Sequence, residues 1–388
     1  MTSSDQWGVI TARARDIARH FDYQLPTHIV FGDGRVGELP DHLRRHGVTR
    51  PLIVTDPGLR STGIIERIER VLEKAGLSYG VFADVSSDPK TSIVEHVVAL
   101  VTEGQYDGLV GVGGGSSLDV AKAAAALVTN PGPVAGYVGR EKIVNQPLPL
   151  IAIPTTAGTG SEVTIWSVLT DDSTGAKVSI GSVMMMPNVA LLDPELTVGL
   201  PPEITAATGM DALSHAVESY GSVWNHVIAE PLSLQAIELV GRYLARAVEN
   251  GADLEARRGM LLASLVSELA ANSTRLGLCH ALALPVGAKY HVPHGTANAI
   301  LLDVVCAFNA SADPSRYATV AQRLGWGEDA ASGIASLRER IGIHERLSRW
   351  GVDSLGELAD MAMKSDNVQA NPREADRDQL IAILRAAL

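Results

Sequence analysis

The stretch Gly108–Thr129, GLVGVGGGSSLDVAKAAAALVT, decides the class of fold. Gly108 to Val112 is a short apolar run that reads as a strand, and Leu118 to Thr129 reads as a helix, with successive glycines between them. Glycines let the backbone approach a ligand closely and take up positive φ. Free N–H groups at the start of the following helix favour a phosphate. Ser116 and Ser117 are placed to cap that helix and to donate to phosphate oxygens, and Lys122, one turn further in, is placed to add a positive charge. The run departs from the usual dinucleotide fingerprint: Ser116 holds the third glycine position, and no acid follows a second strand about 20 residues later. Taken alone, it also fits a glycine turn that merely packs tightly.

The same alternation continues outward. Pro51 to Thr55 reads as a buried strand, Asp56-Pro57-Gly58 as a turn and Ile64 to Ala75 as a helix. Ser78 to Phe82 is the next strand, Ile93 to Glu103 a helix, and Leu148 to Ile153 a further strand. Such alternation predicts a parallel sheet with helices on its faces. After about Leu200 the texture changes. Ile204 to Tyr220, Ala229 to Glu249, Leu254 to Ala271 and Cys279 to Lys289 carry helical spacing, with Pro285 placed to kink or end the last, and Asp378 to Leu388 reads as a final amphipathic helix. Pro201-Pro202 interrupts any continuing element. The expected division is an α/β dinucleotide-binding domain over 1–200 and an all-helical metal-binding domain over 201–388, and a chain of 388 residues suits about two domains.

Bulk properties narrow the class. A formal net charge of −12 disfavours a phosphate backbone as partner, so no nucleic acid is expected. Cys279 and Cys306 form no disulfide framework and fit a reducing compartment. The N-terminal MTSSDQWGVITARARD lacks the apolar core of a signal peptide, and apolar runs such as Ala123–Val128 fall far short of a membrane span. The expectation is a cytoplasmic protein with no membrane partner.

Two further segments bear on a nucleotide. Asp56 ends a strand, where a carboxylate accepts from a ribose diol and repels a 2′-phosphate, favouring NAD over NADP; a turn-capping role explains it equally well. Pro154-Thr-Thr-Ala-Gly-Thr-Gly-Ser-Glu162 follows another strand and offers hydroxyls on a flexible backbone.

A metal constellation is also legible. Asp211 and His215 stand at i and i+4, on one helix face a turn apart, a spacing that suits two ligands of one divalent ion and equally an exposed helix contact. His280 lies in an almost wholly apolar helical segment, as a core residue or as a ligand. His294, between Pro293 and Gly295, sits where the chain must turn, as functional loop residues do. Three imidazoles and a carboxylate suit Fe(II) or Zn(II) with a position open for a substrate oxygen.

Four ordered motifs now stand together: Gly113-Gly-Gly-Ser-Ser-Leu-Asp-Val-Ala-Lys122, Pro154–Glu162, Thr208-Gly-Met-Asp-Ala-Leu-Ser-His215 and Pro293-His-Gly-Thr-Ala-Asn-Ala-Ile-Leu-Leu302. The set resembles the iron-containing alcohol dehydrogenases, the family of lactaldehyde reductase and butanol dehydrogenase, from about Pro26 to Asn371-Pro-Arg373. The resemblance implies an NAD(P)-dependent alcohol dehydrogenase or aldehyde reductase, commonly a homodimer. It puts Asp211, His215, His280 and His294 on the metal-ligand positions. It also puts Gly113, Gly114, Gly115, Ser116 and Asp119 to Lys122 on the pyrophosphate segment, Asp56 on the ribose acid, Thr155, Thr156 and Thr159 on the cofactor loop, and Lys177 on a ribose-contacting lysine.

The departures concern proton transfer and substrate. Many members carry a histidine four residues after the third ligand; here Leu284 stands there, and His291 is the candidate substitute relay, with a packing role as the plainer alternative. Ala271 and Arg275 replace what is often a large apolar residue and a glycine, which opens space and brings a cation, suiting a polar or acidic semialdehyde; Arg275 paired with an acid is the competing expectation. Trp166 lines the same pocket or simply packs. The competing functions are an NAD- and metal-using lyase or cyclase of the dehydroquinate synthase type, which calls for more basic ligand segments than these, and a protein that has kept the scaffold without the metal.

Overall fold

The computed structural model describes residues 21–388; the N-terminal stretch read above for targeting lies outside them. The chain divides into two compact units, one of 25–205 with 246–261 and one containing 206–245 and 262–388.

The first unit carries a sheet of β1 (His28–Phe31), β2 (Pro51–Val54), β3 (Gly80–Phe82), β4 (Gly108–Gly113), β6 (Leu150–Pro154) and β9 (Val189–Leu192), in the order β1-β9-β6-β4-β2-β3 with every pairing parallel. A smaller sheet holds β5 (Gly139–Arg140), β8 (Lys177–Gly181) and β7 (Trp166–Thr170), the last two antiparallel. Alternate strand residues serve opposite faces. Ile53, Val110, Val112 and Ile151 pack with α1 (Leu39–Arg45) and α3 (Ile64–Lys74), which precede and follow the short α2 (Pro57–Arg60). Leu52, Val54, Leu109 and Leu150 pack with α4 (Thr91–Gly104) and α5 (Gly115–Thr129). The runs at β2, β4 and β6 are buried on both sides, as a parallel sheet requires, while β3 at the sheet edge is only partly buried.

Between β2 and β4 the topology reverses: β2 leads outward to β3, whereas β4 leads the other way to β6. Ligands bind at the carboxyl ends of strands at such a reversal. Gly113 ends β4 and Asp56 lies two residues beyond β2, and a Cβ placed on Gly113 would lie 3.3 Å from Asp56 Oδ2.

The second unit, among the described residues, is helical. It takes in most of α6 (Pro202–Gly221) and parts of α7 (Ala229–Glu249) and α8 (Leu254–Thr274), then α9 (Leu278–Tyr290) and α10 (His294–Ala310), with shorter helices to Ala386. Pro202 stands at the first position of α6, where its missing N–H costs nothing. From Gly209 onward α6 is buried all round, which marks it as a central element. α9 runs through Pro285 instead of ending there. The proline removes one backbone bond, and the burial of Leu282, Ala283 and Val286 around it outweighs that loss.

Candidate functional site

α6 places Asp211 and His215 one turn apart and both nearly fully buried. α9 contributes His280 and α10 opens with His294, whose side chain is 43% exposed. One donor atom from each of Asp211, His215 and His280 lies within 4.8 Å of the others. The Nε2 atoms of His280 and His294 lie 3.7 and 3.6 Å from Asp211 Oδ1. Donors held about 2.0–2.2 Å from a shared ion stand roughly 3–4 Å apart, so this N/O set fits one divalent metal. The His215 ring stacks on His280 at 4.8 Å between centroids, and His294 tilts against His280 at 5.3 Å.

The electrostatics fit the same reading. Burial alone would raise the Asp211 carboxyl, but the imidazoles of His215, His294 and His280 hold it below the usual carboxylate range. Burial pushes His215 down despite Asp211, leaving the neutral ring that ligates metals. Burial also opposes charge on His280, but its bonds to Asp211 and Glu218 prevail and raise it.

Three side chains around the cluster escaped the sequence reading. Glu218 Oε2 accepts from His280 Nδ1 at 2.6 Å. Glu268 Oε2 lies 3.4 Å from His215 Nδ1. Asn298 Nδ2 donates to Asp211 Oδ1 at 2.7 Å and lies 3.1 and 3.2 Å from Nε2 of His280 and His294. A signal existed: Glu218 stands seven residues after Asp211 and Asn298 four after His294, on the helix stripes that carry those ligands.

In the first unit the glycine turn and the threonine loop meet. Thr155 N–H donates to Gly113 O at 3.0 Å. Gly113 has φ 147°, and a Cβ there would sit 2.7 Å from Ser117 Oγ; on Gly114 it would lie 3.3 Å from Thr156 and on Gly115 3.1 Å from Thr159. Side chains would fill the space above this turn, which suits the close approach of a pyrophosphate. α5 begins at Gly115 with Gly114 at its N-cap and no side-chain cap bond. Ser116 and Ser117, read as caps, lie inside the first turn instead.

Other expected contacts are placed differently. Lys122 is 1% exposed, and its Nζ is held by Asp119 at 3.0 Å, Thr164 Oγ1 at 2.9 Å and the Trp166 carbonyl; it faces the interior, not a phosphate. Asp119 likewise accepts from Ser161 Oγ at 2.6 Å and from the Val168 N–H at 2.9 Å. The reason is depth: α5 is buried on nearly every side. Asp56 Oδ1 caps α2 by accepting from the Leu59 N–H at 3.0 Å. Lys177 pairs with Asp88. Trp166 packs over Gly181, where a Cβ would meet its ring at 2.3 Å.

Around the metal cluster, Ala271 is buried in α8, and Arg275, at φ 56°, pairs with Asp366 at 2.6 Å and stacks over Trp224. His291 ends α9 in the left-handed region and is exposed. Leu284, one turn beyond His280, is 36% exposed on an otherwise buried stretch of α9.

Comparison with known proteins shows the family. The family described as iron-containing alcohol dehydrogenase matches residues 26–194, and the Fe-containing alcohol dehydrogenase family C-terminal domain matches 205–388. The chain is 37% identical over 383 residues to a 1,3-propanediol dehydrogenase of Klebsiella pneumoniae, covering 95% of this chain and 99% of that one. The crystal structure of a 1,3-propanediol oxidoreductase superposes with a TM-score of 0.93 at 37% identity, covering 95% and 100%. That of a sulfoacetaldehyde reductase from Bifidobacterium kashiwanohense in complex with NAD+ does so with 0.88 at 34%, covering 95% and 98%. With both of these family models matched, the chain belongs to the iron-containing alcohol dehydrogenase family.

Proposed function

We propose that the protein is an oxidoreductase that moves hydride between NAD(H) and a small alcohol or aldehyde, with Fe(II) or Zn(II) held by Asp211, His215, His280 and His294. The observation that carries this reading is the convergence of those four side chains, three of them buried, at ligand-like separations. A bound divalent ion supplies Lewis acidity toward the substrate oxygen. The chain's own residues set the rest. Asp211 brings the negative charge of the ligand set, and His215, His280 and His294 the ring nitrogens. Gly113 to Ser116 with Thr155, Thr156 and Thr159 frame the pyrophosphate, and Asp56 Oδ2 takes the ribose diol. Asp119 and Lys122 hold the threonine loop from below. Leu284 carries no proton, so the proton passes through solvent, with His291 as its candidate carrier.

The narrower substrate reading is a polar or acidic aldehyde. It draws support from the likeness to a sulfoacetaldehyde reductase and from Arg275, although Asp366 already engages that cation. We place the enzyme in the cytoplasm as a homodimer, with its functional division near Pro201; among the described residues no helix is long and apolar enough to cross a membrane. Reconstitution with Fe(II) or Zn(II) and NADH oxidation over a panel of aldehydes tests the reading. Turnover that requires metal supports it, and no turnover with any aldehyde, or full metal-independence, overturns it. Arg275→Ala separates the substrate classes: an equal change in KM for neutral and acidic aldehydes removes the acidic reading.

A further inference from the structure

α9 begins without a cap of its own. Gly277 stands at its N-cap and makes no side-chain bond. The acceptor comes from α6: Glu218 Oε1 takes the Cys279 N–H at 2.6 Å, while Oε2 takes His280 Nδ1 at 2.6 Å and lies 3.4 Å from the His280 N–H. Glycine at 277 permits this approach, because a Cβ there would lie 2.9 Å from Glu218 Oε1. One buried carboxylate therefore caps the helix with one oxygen and orients its histidine with the other. A carboxylate can only accept, so the proton of the ring must sit on Nδ1. Nε2 is left facing Asp211 and the neighbouring His294, where the proposed ion would bind.

We infer that Glu218 is a positioning residue for the metal: it fixes the His280 ring and tautomer so that Nε2 is the ligating atom. The inference rests on the metal reading of the previous subsection. It differs from a capping role in one respect. In Glu218→Gln the side-chain oxygen still accepts from the Cys279 N–H, but the amide N–H then faces Nδ1. That favours the tautomer with its proton on Nε2, the wrong atom for ligation.

The test uses Zn2+ alone with the full-length protein, in competition with a chromophoric chelator, beside the melting temperature of the metal-free protein. Glu218→Gln should weaken Zn2+ binding roughly 10–100-fold while the metal-free melting temperature stays near wild type. In the Zn2+-loaded wild type, 15N-histidine spectra assigned with His280→Asn should show a protonated Nδ1 on His280. An unchanged Zn2+ Kd in Glu218→Gln, or ligation through Nδ1 in the wild type, overturns the inference and leaves the metal site standing. Failure of the wild type itself to bind Zn2+ overturns both.

Discussion

Asn298 Nδ2 donates to Asp211 Oδ1 at 2.7 Å, and so a neutral amide supports the one acid of the ligand set. Asn298 is fully buried, so its loss leaves a charged acceptor short of a partner. Asn298→Leu should cost about 1.5–3 kcal/mol of metal-free stability in urea unfolding. Asn298→Asp sets a second carboxylate against Asp211. Its metal-free stability should fall, and Zn2+ should raise its melting temperature by more than it raises that of the wild type. Equal rises in the two proteins would count against this account of the site.

The four proposed ligands make a joint prediction. His280→Ala and His294→Ala should each strip most of the metal from the purified protein, read as metal per chain by elemental analysis. Full retention in both, and in Asp211→Ala and His215→Ala as well, would remove the site.

The glycines of the turn should separate by phenotype. Gly113 needs φ 147° and has Ser117 Oγ 2.7 Å from where a Cβ would stand, so Gly113→Ala should lower stability by about 1–3 kcal/mol. The nearest atoms to a Cβ on Gly115 belong to Thr159, at 3.1 Å, on the side proposed for the cofactor. Gly115→Ala should raise KM for NADH about tenfold with little change in melting temperature. The reverse pattern would place the cofactor elsewhere.

A pH effect follows from Glu162, in the threonine loop. Its carboxyl is 1% exposed with Oε1 unpartnered, and burial raises it from the ordinary 4.5 to about 7, with Lys122 opposing. The folded value exceeds the unfolded one, so the native state binds the extra proton between those limits. The stability tied to that proton is present below pH 4.5 and lost as pH rises through about 7. Glu162→Gln removes the titration. Its advantage over wild type should grow from pH 5 to pH 8, toward a limit on the order of 3 kcal/mol. A constant difference across that range would show that the carboxyl is not protonated in the fold.

Much of the fold was legible because burial on both faces of a parallel sheet writes short apolar runs, as in Leu52–Thr55 and Gly108–Val112. β1, β5, β7, β8 and β9 went unread. Three of them have only four or five residues with mixed burial, and β9 is a four-residue apolar run that a helix writes equally well. In the site, the spacing of Asp211 and His215 was visible on one helix. His280 and His294 are brought together by a left-handed turn at His291, which spacing does not reveal. Glu218 looked like any helical acid, because partnership across 62 residues with His280 leaves no local mark. Lys122 looked available because sequence records position along a helix and not depth within the unit.

The borrowed cap of α9 bears on how such proteins can be recombined. Gly277 stands at the N-cap of α9 and Glu218 within α6, and the two have value as a pair. A crossover that exchanges the segment from 277 onward with a relative, or α6 alone, separates the two positions. Chimeras joined between 221 and 277 should therefore form a poor library wherever the two parents differ at either residue. In directed evolution the two sites should mutate as a linked couple.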